Sequence, residues 1–245
     1  MVKIVIPKEI KEVLDKILEN GFEAYLVGGA VRDYMLHRRS NDFDIATNAL
    51  PADIIKIFGP SYKTIQYGCY NMRIGSYNVD ITTYRKEEAY EGRNPSKITY
   101  TNNLLLDAER RDFTINAFYM NRNEEIIDLY DGQKDIKRKM IRAIGNPTTR
   151  VREDPLRILR AVRFASIYKF SLEKNLANAI KRDKKMLNEL SLTRIKKELD
   201  GILLANGFTL LRQLNLLKEL QITTKSIVYV NDLSGLWAQI KTEVE

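Results

Sequence analysis

At Gly145-Asn146-Pro147 the hydrophobic pattern of this 245-residue chain changes character. Before that point, apolar residues come in short strand-like runs and brief helical stretches broken by glycine. After it they recur at helical spacing over 155–167, 172–181 and 192–206. A chain patterned this way folds as two parts: a mixed α/β domain over residues 1–146 and a helical domain over 147–245.

Within the first part, Ile10, Val13, Leu14, Ile17 and Leu18 mark a helix stopped by Gly21. Residues 24–27 read as a buried strand, Gly28-Gly29 as a break, and a helix begins near Ala30. A second strand covers 42–45, and Pro51 opens a helix ended by Gly59-Pro60. Further strands are expected at 62–66, 71–74, 78–84, 126–129 and 141–144. The polar stretch 87–103, with Gly92 and Pro95, reads as a mobile loop, and the pattern turns helical from Phe113.

In Asp42-Phe43-Asp44 the two carboxylates are two residues apart, so a strand presents both on one face and sends Phe43 to the other. Such hard oxygen ligands suit Mg2+, which takes one or two carboxylates and fills its remaining positions with water or substrate phosphate. Asp80, in Val79-Asp80-Ile81, is the candidate third carboxylate from a neighbouring strand. A solvated turn would also account for the pair, so its meaning depends on what surrounds it. Upstream, Gly28-Gly29 between strand and helix lets a phosphate approach the backbone, with Arg32 one turn into the helix. No Gly-x-x-x-x-Gly-Lys-Ser/Thr run is present, which removes a P-loop NTPase.

Downstream, Arg110-Arg111-Asp112-Phe113-Thr114-Ile115-Asn116 joins charge to short polar groups. Asp112 suits a helix cap or, with Thr114 and Asn116, a ribose contact, and Arg111 suits phosphate or base. Glu153-Asp154-Pro155 then opens a helix on which Arg157, Arg160 and Arg163 recur every three residues. Cytosine and adenine each present an amino donor beside a ring-nitrogen acceptor. A carboxylate paired with a guanidinium, Asp154 with Arg157, matches both bases and mismatches guanine and uracil.

Lys plus Arg number 40 against 32 Asp plus Glu, a formal charge of +8, which favours a polyanionic partner without proving one. The lone cysteine, Cys69, excludes an internal disulfide framework. No apolar run reaches membrane-spanning length and no signal-peptide core is evident, so a soluble cytoplasmic protein is expected. His37, Cys69 and Trp237 fit surface, filler and packing roles.

Together these motifs resemble the class II tRNA nucleotidyltransferase (CCA-adding enzyme) and bacterial poly(A) polymerase family. The matching stretches are Leu26 to Asp33, Asp42 to Thr47, Asp80 to Arg85, Arg110 to Ala117, Asp128 to Gly132, Glu153 to Arg163 and Leu192 to Ile195, in the family's order. The resemblance implies an α+β class: a polymerase-beta-type head with a mixed sheet, followed by an all-helical neck and partial body. It implies that Asp42 and Asp44 hold Mg2+, with Asp80 beside them in catalysis. Gly29 and Arg32 would bind triphosphate, and Arg111, Asp112, Asp154, Arg157, Arg160 and Arg163 the incoming nucleotide. The region from Asp131 to Gly145 would be a hinge between CTP and ATP states. The expected partners are the tRNA 3′ end with CTP and ATP, and oligomeric state is left open. The segment from Tyr90 to Pro95 resembles the flexible loop linked in the family to adenosine addition. Poly(A) polymerase and A-only addition are the alternatives inside the family; a catalytically silent RNA-binding module and a small-molecule nucleotidyltransferase lie outside it. The chain is shorter than family members, which fits either a minimal enzyme or a shortened chain.

Overall fold

The computed structural model describes residues 5–60, 68–91 and 94–220. It divides into two compact units, Met1–Arg138 and Lys139–Glu245. The division falls ahead of the residue-146 boundary because strand β9 (Met140–Ile141) pairs in parallel with β10 (Ser171–Leu172), which commits it to the second unit.

The first unit is built on a six-stranded mixed sheet. Its strands are β1 (Ala24–Val27), β2 (Asp42–Thr47), β3 (Cys69–Ile74), β4 (Tyr77–Thr83), β7 (Phe118–Met120) and β8 (Ile126–Asp128), in the order β3-β4-β2-β1-β7-β8. Only β2 and β4 run parallel; the other pairings are antiparallel. Alternation along β2 and β4 sends Phe43, Ile45, Val79 and Ile81 to one face, where all are buried. Helices α1 (Lys8–Glu19), α2 (Gly29–Met35) and α3 (Pro51–Phe58) pack on the strands, α1 burying Ile10, Val13, Leu14 and Ile17. Part of the other face is covered too: Val27, Ala46, Tyr84 and Tyr119 form a buried cluster with Ala108 of α4 (Leu104–Glu109).

Two expectations change here. The stretch read as a loop is a hairpin, β5 (Arg85–Glu91) against β6 (Asn94–Tyr100), joined in register from Arg85↔Tyr100 to Glu91↔Asn94. Its cross-strand bonding stabilises a polar sequence that lacks an apolar alternation to read. From Phe113 the chain makes a single 3-10 turn, Thr114–Asn116, and then enters β7 instead of a helix. The strand expected at 62–66 lies outside the described residues.

Asp128 ends β8 and caps α5 (Gly132–Lys137): its Oδ1 accepts from the Gly132 N–H at 2.9 Å and its Oδ2 from Gln133 N–H at 2.9 Å. Gly132 is there for space, since a Cβ would lie 2.4 Å from the Thr114 carbonyl oxygen and 2.7 Å from the Phe118 ring.

The second unit is helical: α6 (Pro147–Glu153), α7 (Leu156–Tyr168), α8 (Lys174–Asp183), α9 (Leu192–Leu204) and α10 (Phe208–Gln213). Asn146 caps α6, accepting from the Thr148 N–H at 2.9 Å. α7 is the central helix, burying Leu156, Ile158, Leu159, Ala161, Val162 and Ala165. Gly207 begins the turn to α10 where a Cβ would fall 2.2 Å from Ser166 Oγ.

Replacing Gly132 by alanine is expected to lower the unfolding free energy of the first unit by about 1–3 kcal/mol through overpacking. Urea unfolding followed by circular dichroism measures it, and an unchanged midpoint would contradict the packing described.

Candidate active site

The site begins with strand register. In the parallel pair β2–β4, Asp42 lies opposite Asn78 and Asp44 opposite Asp80, so three carboxylates share one face of the sheet. Asp42 and Asp44 are exposed while Phe43 between them is buried, the alternation expected of the motif. The carboxylates are individually oriented: Asp42 Oδ1 accepts from Asn78 Nδ2 at 2.7 Å and Asp80 Oδ1 from Asn71 Nδ2 at 2.5 Å. Asn71 stands opposite Asp80 on β3, so the strand beyond supplies that donor.

Asp44 feels its neighbours. Although one side is open to solvent, protein crowding on its other sides raises the carboxyl pKa most, Arg111 pulls it back, and Asp80 and Asp42 push it up again. A cation between the acids would relieve that repulsion. Among the described residues no three acidic, His or Cys side chains form a metal-holding group by themselves. Asp42 and Asp44 would offer Mg2+ two carboxylates and leave its other positions to water and phosphate oxygen, the donors that ion prefers.

Gly28 closes the site from the end of β1. Its φ of 66° and ψ of −130° suit glycine, and a Cβ there would stand 3.3 Å from Asp44 Oδ2 and 3.7 Å from Arg111 Nη1. The absent side chain leaves room between an acid and a guanidinium. The sequence singled out Gly29; the conformational demand falls on Gly28.

Arg32 is buried within α2 and folds back over Gly29, where a Cβ would lie 3.4 Å from Nη2. Its Nη1 donates to Asn116 Oδ1 at 2.6 Å and its Nε to Asp33 Oδ1 at 3.1 Å. Asn116 in turn donates to Asp112 Oδ1 at 2.9 Å, which also accepts the Phe113 N–H at 2.8 Å. Asp112, Asn116 and Arg32 therefore form one chain of hydrogen bonds. Thr114, read as a ribose contact, is instead wholly buried and donates to Asp135 Oδ2 at 2.6 Å, inside the protein.

Sequence reasoning missed Asp107. This fully buried carboxylate accepts from Arg110 Nε at 2.9 Å, Arg111 Nη2 at 3.1 Å and the Tyr119 hydroxyl at 2.6 Å. Burial alone would raise it, but Arg110 and Arg111 outweigh burial and bring its pKa down to about 2. The available signal was spacing: Asp107, on α4, precedes Arg110 and Arg111 at the helix end by three and four residues, the separation at which helical side chains meet.

The remaining candidates lie in the second unit. Asp154 Oδ1 accepts the Leu156 N–H at 3.1 Å at the head of α7. Arg157 is buried and donates to the Arg150 carbonyl at 2.8 Å and to Glu153 Oε2 at 2.8 Å. Glu198 on α9 takes Arg163 Nε at 2.6 Å and lies 3.9 Å from Arg160 Nη1. Both guanidinium groups also lie over the Phe164 ring, at 4.6 Å for Arg163 and 5.3 Å for Arg160. The arginine strip is thus an acid-braced array, where the sequence suggested a purely basic one; Glu198 was not anticipated.

Residues 24–142 match the family model described as the poly A polymerase head domain. The chain is 48% identical over 188 residues to a CCA-adding enzyme of Lactobacillus delbrueckii subsp. bulgaricus, covering 76% of this chain and 48% of that protein. A CCA-adding enzyme of Lactococcus lactis subsp. cremoris is 42% identical over 212 residues, 83% of this chain and 53% of its own length. The chain therefore spans about half the length of these curated relatives. Among solved structures, the Bacillus stearothermophilus CCA-adding enzyme in complex with CTP superposes with a TM-score of 0.77 at 33% identity, covering 96% of this chain and 56% of that one. A tRNA nucleotidyltransferase complexed with a primer tRNA and an incoming ATP analog gives 0.69 at 28% identity, covering 86% and 62%. The head-domain match, the sequence identities and the shared mixed-sheet head followed by a helical region agree, and this chain belongs to the CCA-adding enzyme and poly(A) polymerase head-domain family.

Proposed function

We propose that the chain is a template-independent tRNA nucleotidyltransferase that adds C and A from CTP and ATP to the tRNA 3′ end. The observation that carries this reading is the in-register pairing of Asp44 with Asp80 beside Asp42, facing Arg111 across Gly28. That arrangement offers acids and a guanidinium to one triphosphate. The activity, its RNA substrate and a cytoplasmic setting are our inference from the site and the relatives. Among the described residues no helix is long and apolar enough to cross a membrane.

In this reading Asp42 and Asp44 hold Mg2+, which when bound neutralises phosphate charge and favours attack by the RNA 3′ hydroxyl with release of pyrophosphate. Asp80 supplies the third carboxylate of the acidic face. Arg111 offsets charge on the triphosphate, and Gly29 with Arg32 accommodates its oxygens. Asp112 is assigned to the ribose. We assign the second unit to base choice: Asp154 accepts from the exocyclic amine of C or A, and Arg157 donates to the ring nitrogen. Their support is rigidity, because the Leu156 N–H fixes one and Glu153 with the Arg150 carbonyl fixes the other. Arg160 and Arg163 are assigned to the same nucleotide, braced by Glu198. The segment from Asp131 to Gly145 is the proposed hinge.

The direct test supplies tRNA transcripts ending before C, CC or CCA with Mg2+ and CTP or ATP, then sizes the products. Addition that stops at CCA is expected. Runaway adenylation would favour the poly(A) reading, and no incorporation into any RNA would sink both. Asp42→Ala is expected to cut addition by roughly a thousandfold while CTP affinity, read by calorimetry, changes little. Arg157→Ala should reduce the preference for C and A over G and U by about tenfold or more; unchanged selectivity in competition assays would refute its role.

A further inference from the structure

Arg111 projects from just beyond α4 toward the acidic face, and two separate bonds fix its guanidinium plane. Asp107 Oδ2 accepts from Nη2 at 3.1 Å, and the Tyr119 hydroxyl oxygen accepts from Nε at 3.2 Å. The Tyr119 ring also lies beneath the group, with Cζ 5.1 Å from its centroid. A guanidinium is a rigid fork, so fixing two of its nitrogens determines where the third stands. That third nitrogen, Nη1, borders the space left by Gly28, as does Asp44 Oδ2. The other oxygen of Asp107 accepts from Arg110 Nε at 2.9 Å and from the backbone N–H of Arg85 at 3.3 Å. One buried carboxylate thus separates two adjacent arginines and orients both.

We propose that Asp107 is the positioning residue of this site: it presets the Arg111 fork so that Nη1 meets the nucleotide triphosphate in the space above Gly28. This rests on the nucleotidyl-transfer reading given above. A fork held in place before substrate arrives loses little freedom on binding, which favours affinity and alignment. Asp107 touches no substrate itself. Its charge also makes the proposal separable from simple electrostatics, because a carboxylate near a polyanion should weaken binding through charge alone. Deleting that charge tightens CTP binding if charge governs and weakens it if orientation governs. A purely structural role predicts lower stability with the affinity of the folded protein unchanged.

The test compares wild type, Asp107→Asn, Tyr119→Phe, Arg111→Lys and the Asp107→Asn/Arg111→Lys pair. CTP dissociation constants are measured by calorimetry with Mg2+, on protein shown folded by circular dichroism. Tyr119→Phe keeps every charge and is the milder variant should Asp107→Asn fail to fold. The expected result is CTP binding about tenfold weaker in Asp107→Asn and about threefold weaker in Tyr119→Phe. Adding Asp107→Asn to Arg111→Lys should produce no further loss, because the fork is already gone. Tighter or unchanged binding in folded Asp107→Asn or Tyr119→Phe, or additive losses in the pair, would overturn the proposal. So would a wild-type chain that binds no CTP. A wild type that binds CTP yet extends no RNA would refute the transfer reading, and the affinities would still decide the role of Asp107.

Discussion

Parallel pairing of β2 with β4 is the constraint on which the first unit depends. Among the described residues it is the only parallel contact in the six-stranded sheet, and its register sets Asp44 against Asp80. A slip of β2 by one residue would send Asp42 and Asp44 to the apolar face and turn Phe43 and Ile45 out of the core. The buried side of the same strands therefore enforces the chemistry of the exposed side. What the register gathers, it also strains: burial chiefly raises the Asp44 pKa, and repulsion from Asp80 and Asp42 adds to it. Arg111 opposes that repulsion from across Gly28, and Asp107 holds Arg111.

The same device, an acid bracing arginines, recurs in the second unit. Glu153 holds Arg157, Glu198 holds Arg163 and approaches Arg160, and Asp183 takes Arg152 Nη2 at 3.1 Å. A half-buried guanidinium without such a partner would carry a large desolvation cost. Bracing also restricts long side chains that would otherwise sample many rotamers, so their charges are presented in set positions. The excess of +8 describes the whole chain. At these helices, local acid-arginine geometry decides what a ligand would meet.

Much of the core was legible because its signals are local. Periodicity marked α1, α7 and α9, glycine and proline marked the ends of α1 and α3, and alternation in Asp42-Phe43-Asp44 marked β2 and its exposed face. The hairpin β5–β6 was not legible, since its polar residues lack alternation and its order comes from cross-strand pairing. Asp107 was overlooked because an acid among Leu104, Leu105 and Leu106 gives no sign of its distant partner Tyr119. Thr114 was misread for the opposite reason: a polar residue in a charged motif suggests ligand, yet Asp135, 21 residues on, claims its hydroxyl inside the protein. Spacing does not report the Asp107–Tyr119 and Thr114–Asp135 contacts, whereas the Asp107–arginine contacts lay within its reach.

The central claim is that the acidic face of β2 holds a divalent ion where the triphosphate arrives. Anomalous diffraction from crystals soaked with Mn2+ and CTP tests it most directly. The account predicts a metal peak at the Asp42 and Asp44 carboxylates that is lost in Asp44→Asn. Ordered CTP with no metal peak at those carboxylates, or a peak that persists in Asp44→Asn, would contradict it.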